Sequence, residues 1–157
     1  MAAPYSGQCL CGAIKYRVLR EPLTLYACHC TDCQRRTGSA FALSMIVRPE
    51  DVELLAGQTT GYSATLSNGR TKCGQMCAAC GTRLWGTPVK YAGIFIVQPG
   101  TLDQPCQLAP VAHLWVSEAQ PWIKLPPGVP IFETQPSDPR ELTRLWKVAS
   151  SRRQDDA

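Results

Sequence analysis

The chain has 157 residues, of which 45% are hydrophobic and 18% are charged, as is typical of a globular protein rather than a disordered one. No stretch approaches the roughly 20 consecutive apolar residues that a membrane-spanning helix needs. The start of the sequence has neither a basic region nor an apolar run, so we expect no secretory signal, a cytoplasmic location and no membrane partner.

Thirteen prolines and twelve glycines divide the chain into short segments, which favours strands and turns over long helices. Residues 13–18 alternate apolar and polar side chains, the pattern of a half-buried strand. A second strand is predicted over residues 23–27, and a short helical turn over 34–37 that ends at Gly38. Further strands are predicted over residues 41–47, 52–55, 59–64, 70–76, 82–85, 93–97 and 111–116. The predicted fold class is therefore all-β.

Two later segments have their own signatures. Residues 67–70 carry the Asn-Gly pair of a two-residue hairpin turn. Asp138 as N-cap, Pro139 at the first position and Glu141 three residues after the cap predict a short C-terminal helix. We divide the chain into a domain over residues 1–137 and a C-terminal helix with a mobile tail over residues 138–157. Three of the four tryptophans, Trp85, Trp115 and Trp122, are predicted to lie in the core.

Seven of the nine cysteines fall into three clusters with the spacing of metal ligands. An odd cysteine count and the expected reducing compartment argue against a disulfide scaffold. The clusters are Cys9 with Cys11, Cys28 with Cys30 and Cys33, and Cys77 with Cys80. Seven thiolates and two zinc ions would bring the formal charge of +4 to about +1. Since the basic residues are also scattered, we expect no nucleic-acid partner.

Structural zinc usually takes four ligands, supplied as two pairs from separate loops. Cys9/Cys11 with Cys77/Cys80 would make such a set, although the sequence equally allows Cys28/Cys30 to pair with Cys77/Cys80. In the first arrangement the central cluster holds a metal with three thiolates. Its fourth ligand could then be water, a substrate thiolate or one of His29, Cys73 and Cys106.

Closure of the central cluster by Cys73 or Cys106 would make it a second structural site. Otherwise these two cysteines are expected to be small buried side chains. His29, between two ligands in an extended segment, should point away from the metal. His113, in an apolar segment, is expected to be a core histidine rather than a catalytic base.

In combination, these motifs resemble the family of glutathione-dependent formaldehyde-activating enzymes, which also includes centromere protein V. The resemblance covers about residues 6–132. It rests on Gly7-x-Cys9-x-Cys11-Gly12, Cys28-His-Cys30-x-x-Cys33-Gln-Arg, Thr37-Gly-Ser-Ala-Phe41, Cys77-x-x-Cys80-Gly81 and Pro121-Trp122 with Gly128-Val-Pro130. Met76 stands where the family usually has an aromatic residue.

The resemblance implies short antiparallel sheets that meet at a structural zinc, a fold described as a β-tent. It implies one zinc ion on Cys9, Cys11, Cys77 and Cys80, and a second, catalytic or labile zinc ion on Cys28, Cys30 and Cys33. The implied activity is that of a carbon–sulfur lyase that condenses glutathione with formaldehyde to S-hydroxymethylglutathione.

The residues suit such chemistry, because a cation held by three thiolates can lower the pKa of a substrate thiol. The catalytic residues would be Cys28, Cys30 and Cys33, and Arg35 with Arg36 could bind a carboxylate of glutathione. A solvated basic turn explains the two arginines equally well. The alternatives are a zinc-stabilised binding module without catalysis and a cluster that senses oxidation by forming a disulfide.

Overall fold

The computed structural model describes residues 3–88 and 93–155. Short strands form two sheets and a helix follows the last strand, which confirms the predicted all-β class with a C-terminal helix. The strands are β1 (Tyr5–Gln8), β2 (Lys15–Val18), β3 (Thr24–Cys28), β4 (Ala42–Val47), β5 (Val52–Ala56), β6 (Thr59–Thr65), β7 (Thr71–Cys77), β8 (Arg83–Pro88), β9 (Phe95–Val97), β10 (His113–Leu114) and β11 (Ile131–Phe132). The helices are α1 (Thr31–Thr37) and α2 (Arg140–Asp155).

The contacts between Cα atoms divide the chain into two compact units. The first unit comprises Met1–Pro22 and Met45–Gln107, and the second comprises Leu23–Ser44 and Leu108–Ala157. Each unit is therefore built from two separate stretches of sequence. The division into a domain over residues 1–137 and a helix with tail over 138–157 stays a prediction.

In the first unit, β1, β2 and β5 form an antiparallel sheet with β2 in the centre. The predicted alternation holds on β2, because Tyr16 and Val18 are fully buried while Lys15 is exposed. The Tyr16 ring meets the Trp85 ring edge-on at 5.7 Å, and its hydroxyl hydrogen-bonds to the Thr101 hydroxyl at 2.6 Å. Burial raises the pKa of Tyr16 to about 12. Trp85 thus lies in the core, as predicted.

The other strands of the first unit, β6, β7, β8 and β9, pair antiparallel in chain order. A turn joins β6 to β7 at the predicted place, but its loop has three residues, 67–69, rather than two: the Leu66 N–H donates to the Arg70 carbonyl at 2.8 Å. Gly69 has a φ of 77° there, the left-handed conformation that glycine adopts without steric cost. A second turn joins β7 to β8 and carries Cys80.

Gly57, between β5 and β6, is in a conformation that a larger residue cannot take. Its φ is 79°, and an added Cβ atom would lie 2.2 Å from the Ala13 carbonyl oxygen and 2.7 Å from Ile14 Cδ1. We expect Gly57→Ala to lower the free energy of unfolding in urea by more than about 2 kcal/mol. Gly69→Ala is the matched control, since Gly69 has nothing within 4 Å of that position and should lose only about 1 kcal/mol. Equal losses would contradict the steric argument.

In the second unit, β10 lies between β3 and β11 and pairs parallel with both. These parallel pairs depart from the antiparallel arrangement expected from the sequence. Helix α1 follows β3 after Cys30, and α2 packs against β3. The core of this unit contains Ala112, Leu114 and Leu142, with the half-buried Tyr26, Trp115, Phe132 and Leu145 packed around them.

Four expectations about local structure need correction. Strand β10 has only two residues instead of the predicted six, because Trp115 turns left-handed with a φ of 59°. Helix α1 begins at Thr31, earlier than expected, and ends at Gly38 as predicted. Trp122 is 68% exposed, so it is not a core residue. Helix α2 continues to Asp155, through most of the predicted tail; residues 156 and 157 lie outside the described residues.

Candidate metal centres

Two similar turns present the cysteines of the first unit. In one, Cys9 follows β1 and its N–H and C=O bond to the Ile14 carbonyl and the Gly12 N–H at 3.1 and 3.0 Å. In the other, Cys77 ends β7 and bonds in the same way to the Thr82 carbonyl and the Gly81 N–H, at 3.0 and 2.9 Å. Gly12 and Gly81 have φ values of 74° and 70°. Each turn thereby curls two thiols towards one point.

The four thiols of these turns belong to Cys9, Cys11, Cys77 and Cys80, and their sulfur atoms all lie within 4.8 Å of one another. The Cys9–Cys11 sulfur distance is 3.5 Å and the Cys11–Cys77 distance is 3.8 Å. Zinc with Zn–S bonds of about 2.3 Å in a tetrahedron would need sulfur separations of about 3.8 Å. The cluster therefore has the size of a four-thiolate zinc site.

Hydrogen-bond donors surround this four-cysteine cluster. The Ile14 N–H donates to the Cys9 sulfur at 3.2 Å. The Leu10 N–H donates to the Thr82 hydroxyl oxygen at 3.1 Å, which leaves that hydroxyl free to donate to the Cys80 sulfur, also 3.1 Å away. The Thr82 hydroxyl, together with the backbone N–H groups of Thr82 and Cys11, lowers the pKa of Cys80 to about 5. Such donors stabilise thiolates, the form in which cysteine binds a metal.

The second unit holds a cluster of three thiols: Cys28 ends β3, Cys30 is the N-cap of α1, and Cys33 lies in its first turn. Their sulfur atoms all lie within 4.8 Å of one another, with 3.5 Å between Cys28 and Cys30. Cys28 is buried, and the other two are half-buried. The neighbouring thiols, with burial, raise the pKa of Cys28. Three thiolates at this spacing repel one another, so the cluster suits a cation.

Among residues 3–88 and 93–155, no fourth cysteine, histidine, aspartate or glutamate joins this cluster. His29, although flanked by two of the cysteines, points elsewhere: its Nε2 atom lies 2.9 Å from Nδ1 of His113, and its ring packs on Phe41. His29 thus points away from the cluster as predicted, and His113 is buried, as expected for a core histidine; His29 is buried as well. Cys73 is half-exposed and Cys106 is exposed, so the expectation that they are buried was wrong.

The remaining predicted site residues are two arginines on the last turn of α1. Arg35 is exposed and Arg36 is half-buried. The C-terminal end of a helix carries a partial negative charge and favours positively charged side chains. Both arginines can therefore stabilise α1 independently of any ligand. Contact between these arginines and a substrate stays a prediction, as does the assignment of the seven cysteines as ligands.

No local pattern singled out Glu118 or Gln120, which support the three-cysteine cluster, or showed what Gln34 of the Cys33-Gln-Arg motif binds. The Glu118 carboxylate accepts from the Thr31 N–H at 2.6 Å and from the Thr31 hydroxyl, at the start of α1. Gln34 and Gln120 connect the same helix to the segment that follows β10. These partners are more than 80 positions apart in the chain, so no local pattern could have revealed them.

None of the helices that the structure describes has the length and apolar character required to cross a bilayer.

Comparisons with known proteins show which family the chain resembles in sequence and fold. A Halomonas elongata protein, provisionally named a glutathione-dependent formaldehyde-activating enzyme, is 21% identical over 124 residues, 76% of this chain and 79% of that protein. The crystal structure of a Rhodobacter sphaeroides protein shares the fold at 19% identity, with a TM-score of 0.50 over 81% of this chain and 98% of that one. The family model described as glutathione-dependent formaldehyde-activating enzyme matches residues 4–118. This match spans well over half of the present chain, and the chain therefore belongs to that family.

Proposed function

We propose that this protein is a zinc-dependent enzyme of the carbon–sulfur lyase type, which joins a thiol such as glutathione to a small aldehyde such as formaldehyde, or separates them. The observation that carries the proposal is the three-cysteine cluster, which lacks a fourth side-chain ligand in the described part of the chain. Three protein ligands and one exchangeable position are characteristic of catalytic zinc. Membership of the family supports glutathione and formaldehyde as the substrates.

The reaction requires a thiolate and an electrophilic carbonyl carbon. A zinc ion at the cluster would lower the pKa of a thiol in the remaining position, so that the thiol loses its proton near neutral pH. The substrate sulfur then forms a bond to the aldehyde carbon, and the carbonyl oxygen takes up a proton to become the hydroxyl of the product. In the reverse direction the carbon–sulfur bond breaks and the hydroxyl proton is released.

The residues of the chain have distinct roles in this proposal. Cys28, Cys30 and Cys33 hold the ion and leave one side accessible, since two of their side chains are half-buried rather than enclosed. Arg35 and Arg36 bind a carboxylate of glutathione through charge-assisted hydrogen bonds. The four-cysteine cluster of the first unit holds a structural zinc ion. Reduced thiols of this kind suit the cytoplasm, where we place the protein.

The test is the rate at which [13C]formaldehyde exchanges between its free form and the hydroxymethyl adduct of glutathione, measured by exchange NMR. We expect zinc-loaded protein to accelerate this exchange in proportion to its concentration. A thiol without carboxylates, such as 2-mercaptoethanol, should be a poorer substrate than glutathione. The double variant with Arg35→Ala and Arg36→Ala should reduce the difference in exchange rate between the two thiols. An exchange rate unchanged by the zinc-loaded protein would overturn the proposed activity and favour a binding module or a redox sensor.

A further inference from the structure

We propose that Gln34 is a positioning residue, which fixes the helical ligand Cys33 relative to Cys28 at the end of β3 and to Cys30 in the segment that enters α1. The inference rests on metal binding at this cluster, which is part of the proposed function. Its basis is a set of three hydrogen bonds that use the whole carboxamide of Gln34. No contact between Gln34 and the substrate is implied.

The cluster needs such a residue because its three ligands come from two different elements. Cys28 belongs to β3, which is anchored to β10 by a hydrogen bond of 2.9 Å from the His29 N–H to the Leu114 carbonyl. Cys33 belongs to α1, a helix of seven residues. A small rotation of this helix about its first residue would move the Cys33 sulfur away from the other two.

Gln34 connects the two elements directly. It follows Cys33 on α1, and its Nε2 atom donates to the His29 carbonyl oxygen at 2.6 Å. That carbonyl belongs to the peptide bond that leads into Cys30. The side chain next to one ligand therefore holds the peptide next to another, which restricts rotation of the helix against the strand.

The orientation of the Gln34 carboxamide is determined by its other two bonds. Nε2 also donates to the Glu118 carbonyl at 2.9 Å, while Oε1 accepts from Nε2 of Gln120 at 2.6 Å. If the carboxamide were reversed, its oxygen would face two carbonyl oxygens and its nitrogen would face a donor. Both hydrogens of the Gln34 amide and its oxygen are thus used in one arrangement.

The segment that receives these bonds also caps the helix. Cys30 is the N-cap of α1 but makes no side-chain cap hydrogen bond, which is consistent with a sulfur committed to the cluster. The Glu118 carboxylate takes over this function by accepting from Thr31. The left-handed Trp115 ends β10 and begins the turn that carries Glu118. Backbone conformations of this kind are costly and persist where the surroundings require them.

The experiment measures metal binding rather than catalysis. Cobalt(II) is titrated into reduced, metal-free protein with a competing chelator, and the sulfur-to-cobalt charge-transfer and d–d bands report the affinity and geometry of each cluster. Gln34→Glu keeps the size and the acceptor for Gln120 but places an oxygen against two carbonyls; Gln34→Leu removes all three bonds. We expect both variants to bind cobalt 10- to 100-fold more weakly at the three-cysteine cluster, with altered d–d bands, as is usual for residues that orient metal ligands.

Gln98→Leu is the matched control: it removes a half-buried glutamine of the first unit, whose amide bonds to the Ile96 carbonyl at 3.4 Å. It should leave the three-cysteine cluster unchanged. Gln120→Ala, which removes one of the three bonds, should weaken binding by a smaller factor and covers the case in which the Gln34 variants fail to fold. If the folded Gln34 variants bind cobalt with wild-type affinity and wild-type bands, the inference is overturned. If the Gln34 variants do not fold, the same result in Gln120→Ala overturns it. So does wild-type protein that binds no cobalt at this cluster.

These outcomes separate the inference from the proposed activity. Wild-type protein that binds cobalt at both clusters but does not accelerate formaldehyde exchange would refute the activity alone, and a weakened Gln34 variant would still support the positioning role. Conversely, exchange catalysed equally well by wild-type protein and a Gln34 variant with unchanged affinity would refute the positioning role alone.

Discussion

Cys77→Ser should remove one zinc ion per chain and lower the midpoint of thermal unfolding by about 10 °C or more. Cys77 is buried and its sulfur lies 3.8 Å from that of Cys11, and a serine hydroxyl at this position would be a much weaker zinc ligand than a thiolate. The measurements are zinc content by mass spectrometry of the metal and the unfolding midpoint by circular dichroism.

The size of this effect follows from the length of chain that the four-cysteine cluster closes. Cys11 and Cys77 are 66 positions apart, and a cross-link over a loop of this length lowers the entropy of the unfolded chain by the equivalent of about 4 kcal/mol. In a protein of about 150 residues, each kcal/mol shifts the midpoint by about 2–4 °C. The expected loss of about 4 kcal/mol therefore corresponds to a shift of about 10 °C or more.

Cys73→Ser is the control for this variant. Cys73 lies on β7, the same strand as Cys77, but its sulfur is 3.8 Å from the Ser63 hydroxyl and belongs to neither cluster. It should keep the zinc content and shift the midpoint by no more than about 2 °C. Equal effects of the two variants would refute the structural role of the four-cysteine cluster.

Features determined by neighbouring residues were predictable from the sequence. The alternation of β2 places Tyr16 and Val18 in the core. The Asn-Gly pair marks the place of the turn between β6 and β7, where Gly69 takes the left-handed backbone conformation, although the loop has three residues rather than the predicted two. The spacing of the cysteines in three short segments likewise predicted which thiols lie close together within each segment.

Features determined by contacts between distant segments were not predictable. The parallel pairing of β10 with β3 joins residues more than 80 positions apart, and Leu114 of β10 packs in one cluster with Leu142 of α2. The exposure of Trp122 is also a tertiary result, because the local sequence only shows an apolar ring among prolines. The bond between Gln34 and Glu118 joins residues 84 positions apart. Supporting contacts of the candidate site therefore required the structure, whereas its cysteines did not.

Cys30→Ser should lose the metal ion at the three-cysteine cluster and the proposed activity but retain its fold. Cys77→Ser, in contrast, should mainly lose stability. The three ligands lie within six residues, so a metal ion there closes only a short loop. Closing this loop lowers the entropy of the unfolded chain by the equivalent of only about 2 kcal/mol. Serine is also a favoured N-cap residue, and Cys30 makes no cap hydrogen bond of its own. The new hydroxyl can cap α1 and offset part of the lost stability.

The measurements are zinc content, the thermal midpoint and the formaldehyde exchange rate on the same preparation. Cys30→Ser should lose one zinc ion and at least about 100-fold in exchange rate, with less than half the midpoint shift of Cys77→Ser. Cys106→Ser is the control, because Cys106 is exposed and lies outside both clusters; it should match the wild type in all three. If Cys30→Ser kept its full zinc content, the three-cysteine cluster would not be a zinc site. If it unfolded as readily as Cys77→Ser, the second unit would depend on that metal for its fold, and the distinction between a structural and a catalytic centre would fail.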